Sequence, residues 1–85
     1  MITGSQIRAA RTALRWNVDT LSSKSQVSIR TIKRIETEQG VPNSTAANVA
    51  AIKTALETAG IEFIGTPDDR PGIRIGLPKP NDGSS

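Results

Sequence analysis

The stretch Leu21 to Glu36, LSSKSQVSIRTIKRIE, constrains this chain more than any other. Its apolar residues fall at Leu21, Val27, Ile32 and Ile35, which predicts a short helix, a break near Ser25 and Gln26, and a second helix with Ile32 and Ile35 on its inner face. Ser22 and Ser25 are small where two helices must cross closely. Ser28 stands just before the second run and can accept a hydrogen bond from an early helix N–H, and Val27 and Ile32 flank it at the spacing of a hydrophobic staple. The outward positions are then Ile29, Arg30, Thr31, Lys33 and Arg34, three of them cationic. A helix that is apolar inside and cationic outside suits the groove of a nucleic-acid duplex.

The preceding residues predict a helix with its own start signal. Thr3-Gly4-Ser5-Gln6 has the Thr-x-x-Gln form of a capping box, with Ile2 and Ile7 as the staple around it. Ile7, Ala10 and Leu14 form the buried stripe, and the helix should end near Arg15. Trp16 reads as a core plug between the first two helices rather than a platform for stacked bases. Asn17 is a suitable cap for the next helix, which should run to about Lys24, and Asp19 in its first turn suits the positive end of the dipole. Gly40 and Pro42 stop the third helix, and Asn43 or Ser44 caps a long fourth one to Ala59. Val49, Ile52, Leu56 and Ala59 form its stripe, filled out by Ala46, Ala50 and Ala55, with Lys53 and Glu57 outside.

After Gly60 the period changes. Ile61 to Ile64 and Gly72 to Leu77 alternate as strands around the turn-rich GTPDDRP, which predicts a hairpin. The tail from Pro78 has no apolar residue besides proline and should be disordered. The expected division is therefore a helical domain over 1–60, a β-hairpin over 61–77 that can serve dimerisation, and a tail over 78–85.

Composition narrows the function. A chain of 85 residues allows one small domain with a limited core. With no Cys and no His, disulfides, thiolate or imidazole metal sites and Cys or His catalysis are excluded, and nothing calls for a cofactor. No apolar run approaches a membrane span and no signal segment is present, so a cytoplasmic, nucleoid-associated location is expected. The net charge of +3 is unevenly placed: residues 1–36 carry seven cations against two acids, residues 37–85 four against six. Positive charge thus gathers around the two-helix stretch, as a polyanion-binding surface requires.

The joint spacing of Leu21, Ser22, Val27, Ser28, Thr31, Ile32, Ile35 and Glu36 resembles the helix-turn-helix of the Cro and phage-repressor family, also called Xre-like regulators, over roughly residues 3–60. Gln26 stands where that family's turn usually has Gly, and Val18 where it usually has Gln. The resemblance implies a mainly α fold, a small helical bundle with a Cro-type helix-turn-helix and here an added hairpin, and a protein that is not an enzyme. It also implies binding of a double-stranded DNA operator, with Ile29, Arg30 and Arg34 at base edges and Lys33 beside them, open between bases and phosphate. Ser28, Thr31, Asn17, Arg8 and Arg15 are then phosphate contacts. Arg11 and Glu36 are charged yet flank buried stripes, and the family often carries an Arg and a Glu at these places as a structural ion pair. Gln26 is expected at positive φ.

A two-stranded hairpin is marginal by itself and must find cover. A homodimer burying Phe63, Ile73 and Ile75 would supply it and set two reading helices on a palindrome; packing against the chain's own long helix is the competing picture. Two other functional classes can be weighed. An antitoxin or an anti-activator would use this fold to hold a protein partner, a toxin or another regulator. A nuclease would want clustered carboxylates, and the adjacent pair Asp68-Asp69 beside Arg70 is a poor candidate.

Overall fold

Each of the first three helices begins where a short polar side chain turns back on the backbone. A computed structural model describes residues 2–38 and 46–76. Within them lie α1 (Gly4–Ala13), α2 (Val18–Ser25), α3 (Ile29–Thr37), α4 (Ala46–Thr58), β1 (Ile61–Thr66) and β2 (Asp69–Ile75). Thr3 caps α1 in a complete capping box, Thr3 Oγ1 accepting from Gln6 N at 3.1 Å and Gln6 Oε1 from Thr3 N at 2.8 Å. Asn17 Oδ1 accepts from Thr20 N at 2.7 Å and Ser28 Oγ from Thr31 N at 3.2 Å. These bonds satisfy N–H groups that a helix start otherwise leaves without partners.

The ends of the elements depart from expectation by a residue or two. Helix α1 stops at Ala13 rather than Arg15, because Arg15 turns to φ 59° and the Trp16 N–H reaches back to Arg11 O at 3.0 Å. Both strands extend further toward the turn than their alternation shows, since Gly65 at φ 75° absorbs a register irregularity that lets pairing resume at Thr66 and Asp69. Helix α4 ends at Thr58, and Ala46 and Ala50, expected in its buried stripe, are exposed while Ala51 packs against the core instead. The stop at Gly40 and Pro42, the cap at Asn43 or Ser44, the last strand residue Leu77 and the tail all lie outside the described residues.

One core joins all the elements: Ile2, Ile7, Ala10, Leu21, Val27, Ile32, Ile35, Ile52, Leu56 and Ile61 are buried. Leu14, Trp16, Phe63 and Ile73 pack against it, so the hairpin shares the helices' core. The hairpin pairs Ile61 with Ile75 and Phe63 with Ile73, and lies with β2 against α1 and β1 against α4. Gln6 ties it down: its side-chain amide donates to Ile64 O at 3.0 Å and Gly72 O at 2.8 Å. Gly4 makes the other close approach, for a Cβ there would sit 2.2 Å from Ile35 O at the end of α3.

The connection from α2 to α3 is held by serines. Ser22 Oγ donates to Val27 O at 2.6 Å, and Ser25 Oγ, buried, donates to Leu21 O at 2.7 Å and accepts from Val27 N at 3.3 Å. Gln26, which follows them, takes the left-handed conformation, φ 63° and ψ 24°, with its N–H on Ser22 O at 2.8 Å. A side chain with a Cβ is strained there by about 1 kcal/mol, and the exposed bond from Gln26 Nε2 to Ser23 O returns only part of that. Gln26→Gly should therefore raise stability by about 0.5–1 kcal/mol, read as a higher urea midpoint at unchanged m-value. A lower midpoint would mean that the glutamine's own bond outweighs its strain.

Candidate nucleic-acid interface

Helix α3 separates two kinds of side chain cleanly. Ile32 and Ile35 are fully buried, whereas Ser28, Ile29, Arg30, Lys33 and Arg34 are exposed and Thr31 is half-buried. Ile29 is 38% exposed, unusual for so large an apolar group. Arg30, Lys33 and Arg34 form no ion pair among the described residues, so the helix presents three unquenched cations on one outward face. Its start is fixed by Ser28, whose hydroxyl also donates to Thr31 Oγ1 at 2.9 Å.

The remaining candidates lie at neighbouring helix ends. Asn17, exposed, has its Oδ1 occupied by the N–H and hydroxyl of Thr20, the latter at 2.9 Å. Arg15 and Arg8 are exposed and unpaired among the described residues. Lys24 Nζ, also exposed, stands 5.8 Å from the centre of the half-buried Trp16 ring.

Arg11 and Glu36 are built differently. Arg11 Nε donates to Glu36 Oε2 at 2.7 Å and Nη2 to Glu36 Oε1 at 2.9 Å, a fork-to-fork pair between α1 and α3 with side chains 16% and 8% exposed. Arg11 Nη1 donates to Trp16 O at 2.9 Å, so one guanidinium joins α1, the end of α3 and the turn before α2. Its hydrogen bonds to Glu36 raise the Arg11 pKa above the ordinary guanidinium value. Because the folded value is raised, deprotonation of Arg11 removes this contribution only at pH above the ordinary guanidinium range.

Phe63 and Ile73 are half-buried against their own chain, and of the three proposed dimerisation residues Ile75, 53% exposed, has the most surface free. Gly4, Ser22 and Ser25 set the pose of α3 without reaching its outer face, and Gln6 sets that of the hairpin. Each shows one local trait in the sequence, but the distant atoms that Gln6 and Gly4 meet are not legible there. No helix among the described residues is long and apolar enough to cross a membrane. Compared with family models, curated proteins and solved structures, the chain finds no match.

Proposed function

We propose that the protein is a sequence-specific double-stranded DNA-binding regulator of transcription, using α2 and α3 as a Cro-type helix-turn-helix with α3 in the major groove. The observation that carries this reading is the outer face of α3, where Arg30, Lys33 and Arg34 stand exposed and unpaired among the described residues above a fully buried Ile32 and Ile35. A rigid helix with free cations matches both the shape and the charge of that groove. Arg30 and Arg34 read bases, each able to donate two bonds to guanine, and Ile29 makes apolar contact such as with a thymine methyl. Ser28, Thr31, the start of α2 at Asn17, Arg8 and Arg15 grip phosphates. A homodimer joined through the hairpin, with Ile75 at the contact, would place two such helices about 34 Å apart on a palindrome.

Selection of fragments from a random duplex library, followed by sequencing, tests the reading; no enriched motif would favour the protein-binding alternative. On the selected duplex, Arg30→Ala and Arg34→Ala should each cost about 1–3 kcal/mol of discrimination against random DNA. Arg15→Gly should behave otherwise. It removes a cation while relieving a left-handed arginine at φ 59°, so affinity for every duplex should fall, the salt slope should drop by about 0.9, and the fold should be no less stable. Equal losses on selected and random DNA for Arg30→Ala and Arg34→Ala would remove them from the reading set.

A further inference from the structure

We propose that Arg8 and Lys33 hold one backbone phosphate of the bound duplex between them, so that Lys33 grips the DNA rather than reads it. The inference rests on the DNA-binding reading above. Arg8 on α1 and Lys33 on α3 are 25 residues apart in sequence, yet they line the same open hollow of about 300 Å³, together with Arg11, Glu36 and Thr37. Three cations against one acid leave that hollow positive.

What matters is which of its charges are already spoken for. Glu36 lies three residues after Lys33, a spacing at which helical side chains meet, and would ordinarily neutralise it. Instead both carboxylate oxygens are taken by Arg11, at 2.7 and 2.9 Å, and neither Lys33 nor Arg8 has an ion pair among the described residues. Arg11 in turn has Nε and Nη2 on Glu36 and Nη1 on Trp16 O, so it has little left to offer a ligand. The Thr37 hydroxyl donates inward to Arg34 O at 2.8 Å.

The hollow therefore holds a neutralised pair at its lining and two unquenched cations from different helices. Like charges that line one hollow repel one another, and an anion lying between them turns that repulsion into attraction. A phosphodiester oxygen suits the pair: Lys33 supplies a mobile point charge and Arg8 a planar fork. Its neighbours on α3, Arg30 and Arg34, belong to the base-reading set, which puts the hollow at the border of the duplex where a strand's phosphates run.

Full-length protein with Lys33→Met, Arg8→Met and both changes tests this, titrated with salt on the library-selected duplex and on a random duplex. Both residues are exposed, so melting and the Trp16 near-ultraviolet signal should not move and report on folding. Each single change should weaken the two duplexes by the same factor and lower the salt slope by about 0.9, which makes the gap from wild type change about threefold between roughly 50 and 200 mM salt. The double variant should lose little more than either single one, because one phosphate is lost in each case. A Lys33→Met loss confined to the selected duplex makes Lys33 a base reader and overturns the proposal. So do fully multiplying losses in the double variant, or unchanged affinity in both singles. Wild-type protein that binds neither duplex at about 50 mM salt fails at the earlier step, as the DNA-binding reading itself.

Discussion

Glu36→Ala should lower the unfolding free energy by about 3 kcal/mol, far more than loss of an exposed charge. The reason is the state in which it leaves Arg11. With the carboxylate gone, a guanidinium only 16% exposed keeps Trp16 O but loses both bonds to Glu36, and a desolvated charge without a counter-ion is the costliest kind of vacancy in a small core. Against a typical total of 5–15 kcal/mol such a loss is large. Arg11→Met combined with Glu36→Leu should recover most of it, since neither charge then remains to be solvated. Chemical denaturation of the three variants checks this, and a single-variant cost of a few tenths would mean the pair is solvated in solution. The exposed pair Lys53 and Glu57, 3.8 Å apart and nearly half-exposed on both sides, is the natural control and should contribute at most about 0.5 kcal/mol.

Gly4→Ala should cost about 2–3 kcal/mol although alanine is the better helix former by roughly 1 kcal/mol. Its added methyl would lie 2.2 Å from Ile35 O and 3.0 Å from Glu38 O, both backbone atoms, so α1 or the end of α3 has to move. Gly72→Ala is the matched comparison. There the methyl meets Ile64 Cγ1 at 3.7 Å, an ordinary contact, and the change should be nearly neutral. Thermal unfolding should separate the two by about 10 °C or more, given roughly 4–8 °C per kcal/mol for a domain of this size. Because α3 carries the proposed reading face, Gly4→Ala should also reduce DNA affinity beyond its effect on stability, measured below the melting range. Equal melting of the two variants would show that α1 and α3 can slide apart cheaply.

Local signals were the legible ones. The capping box at Thr3 and Gln6, the caps at Asn17 and Ser28, and the staples Ile2/Ile7 and Val27/Ile32 all act within five residues, so spacing alone reveals them. Left-handed Gln26 was legible for the same reason, once the turn was placed. What stayed hidden is of two kinds, partners far along the chain, such as those of Gln6 and Gly4, and the atoms that a small polar side chain engages nearby. Ser22 and Ser25 read as small residues for close helix crossing, but their hydroxyls clamp both polar groups of Val27, a role composition cannot show. Helix α4 is so rich in alanine that no stripe stands out, and a residue type equally at home inside and outside left Ala46 and Ala50 misplaced. Arg11 and Glu36 were reachable because each is charged at the rim of a buried stripe. For the outer face of α3, the sequence gives both exposure and charge, because Ile32 and Ile35 fix which side is buried.

The two hydrogen bonds from Gln6 to Ile64 O and Gly72 O cross 58 and 66 residues, and this has a consequence for the chain as it is made. A ribosome adding about 5–20 residues per second delivers Gly72 roughly 3–13 s after Gln6. Through that interval the capping bonds with Thr3 can form, since they are local, but the Gln6 amide must be served by water, and for most of it the core lacks Ile61. Helices α1 to α3 are thus finished as segments well before they are finished as a fold, and closure of the core waits for β2 to emerge.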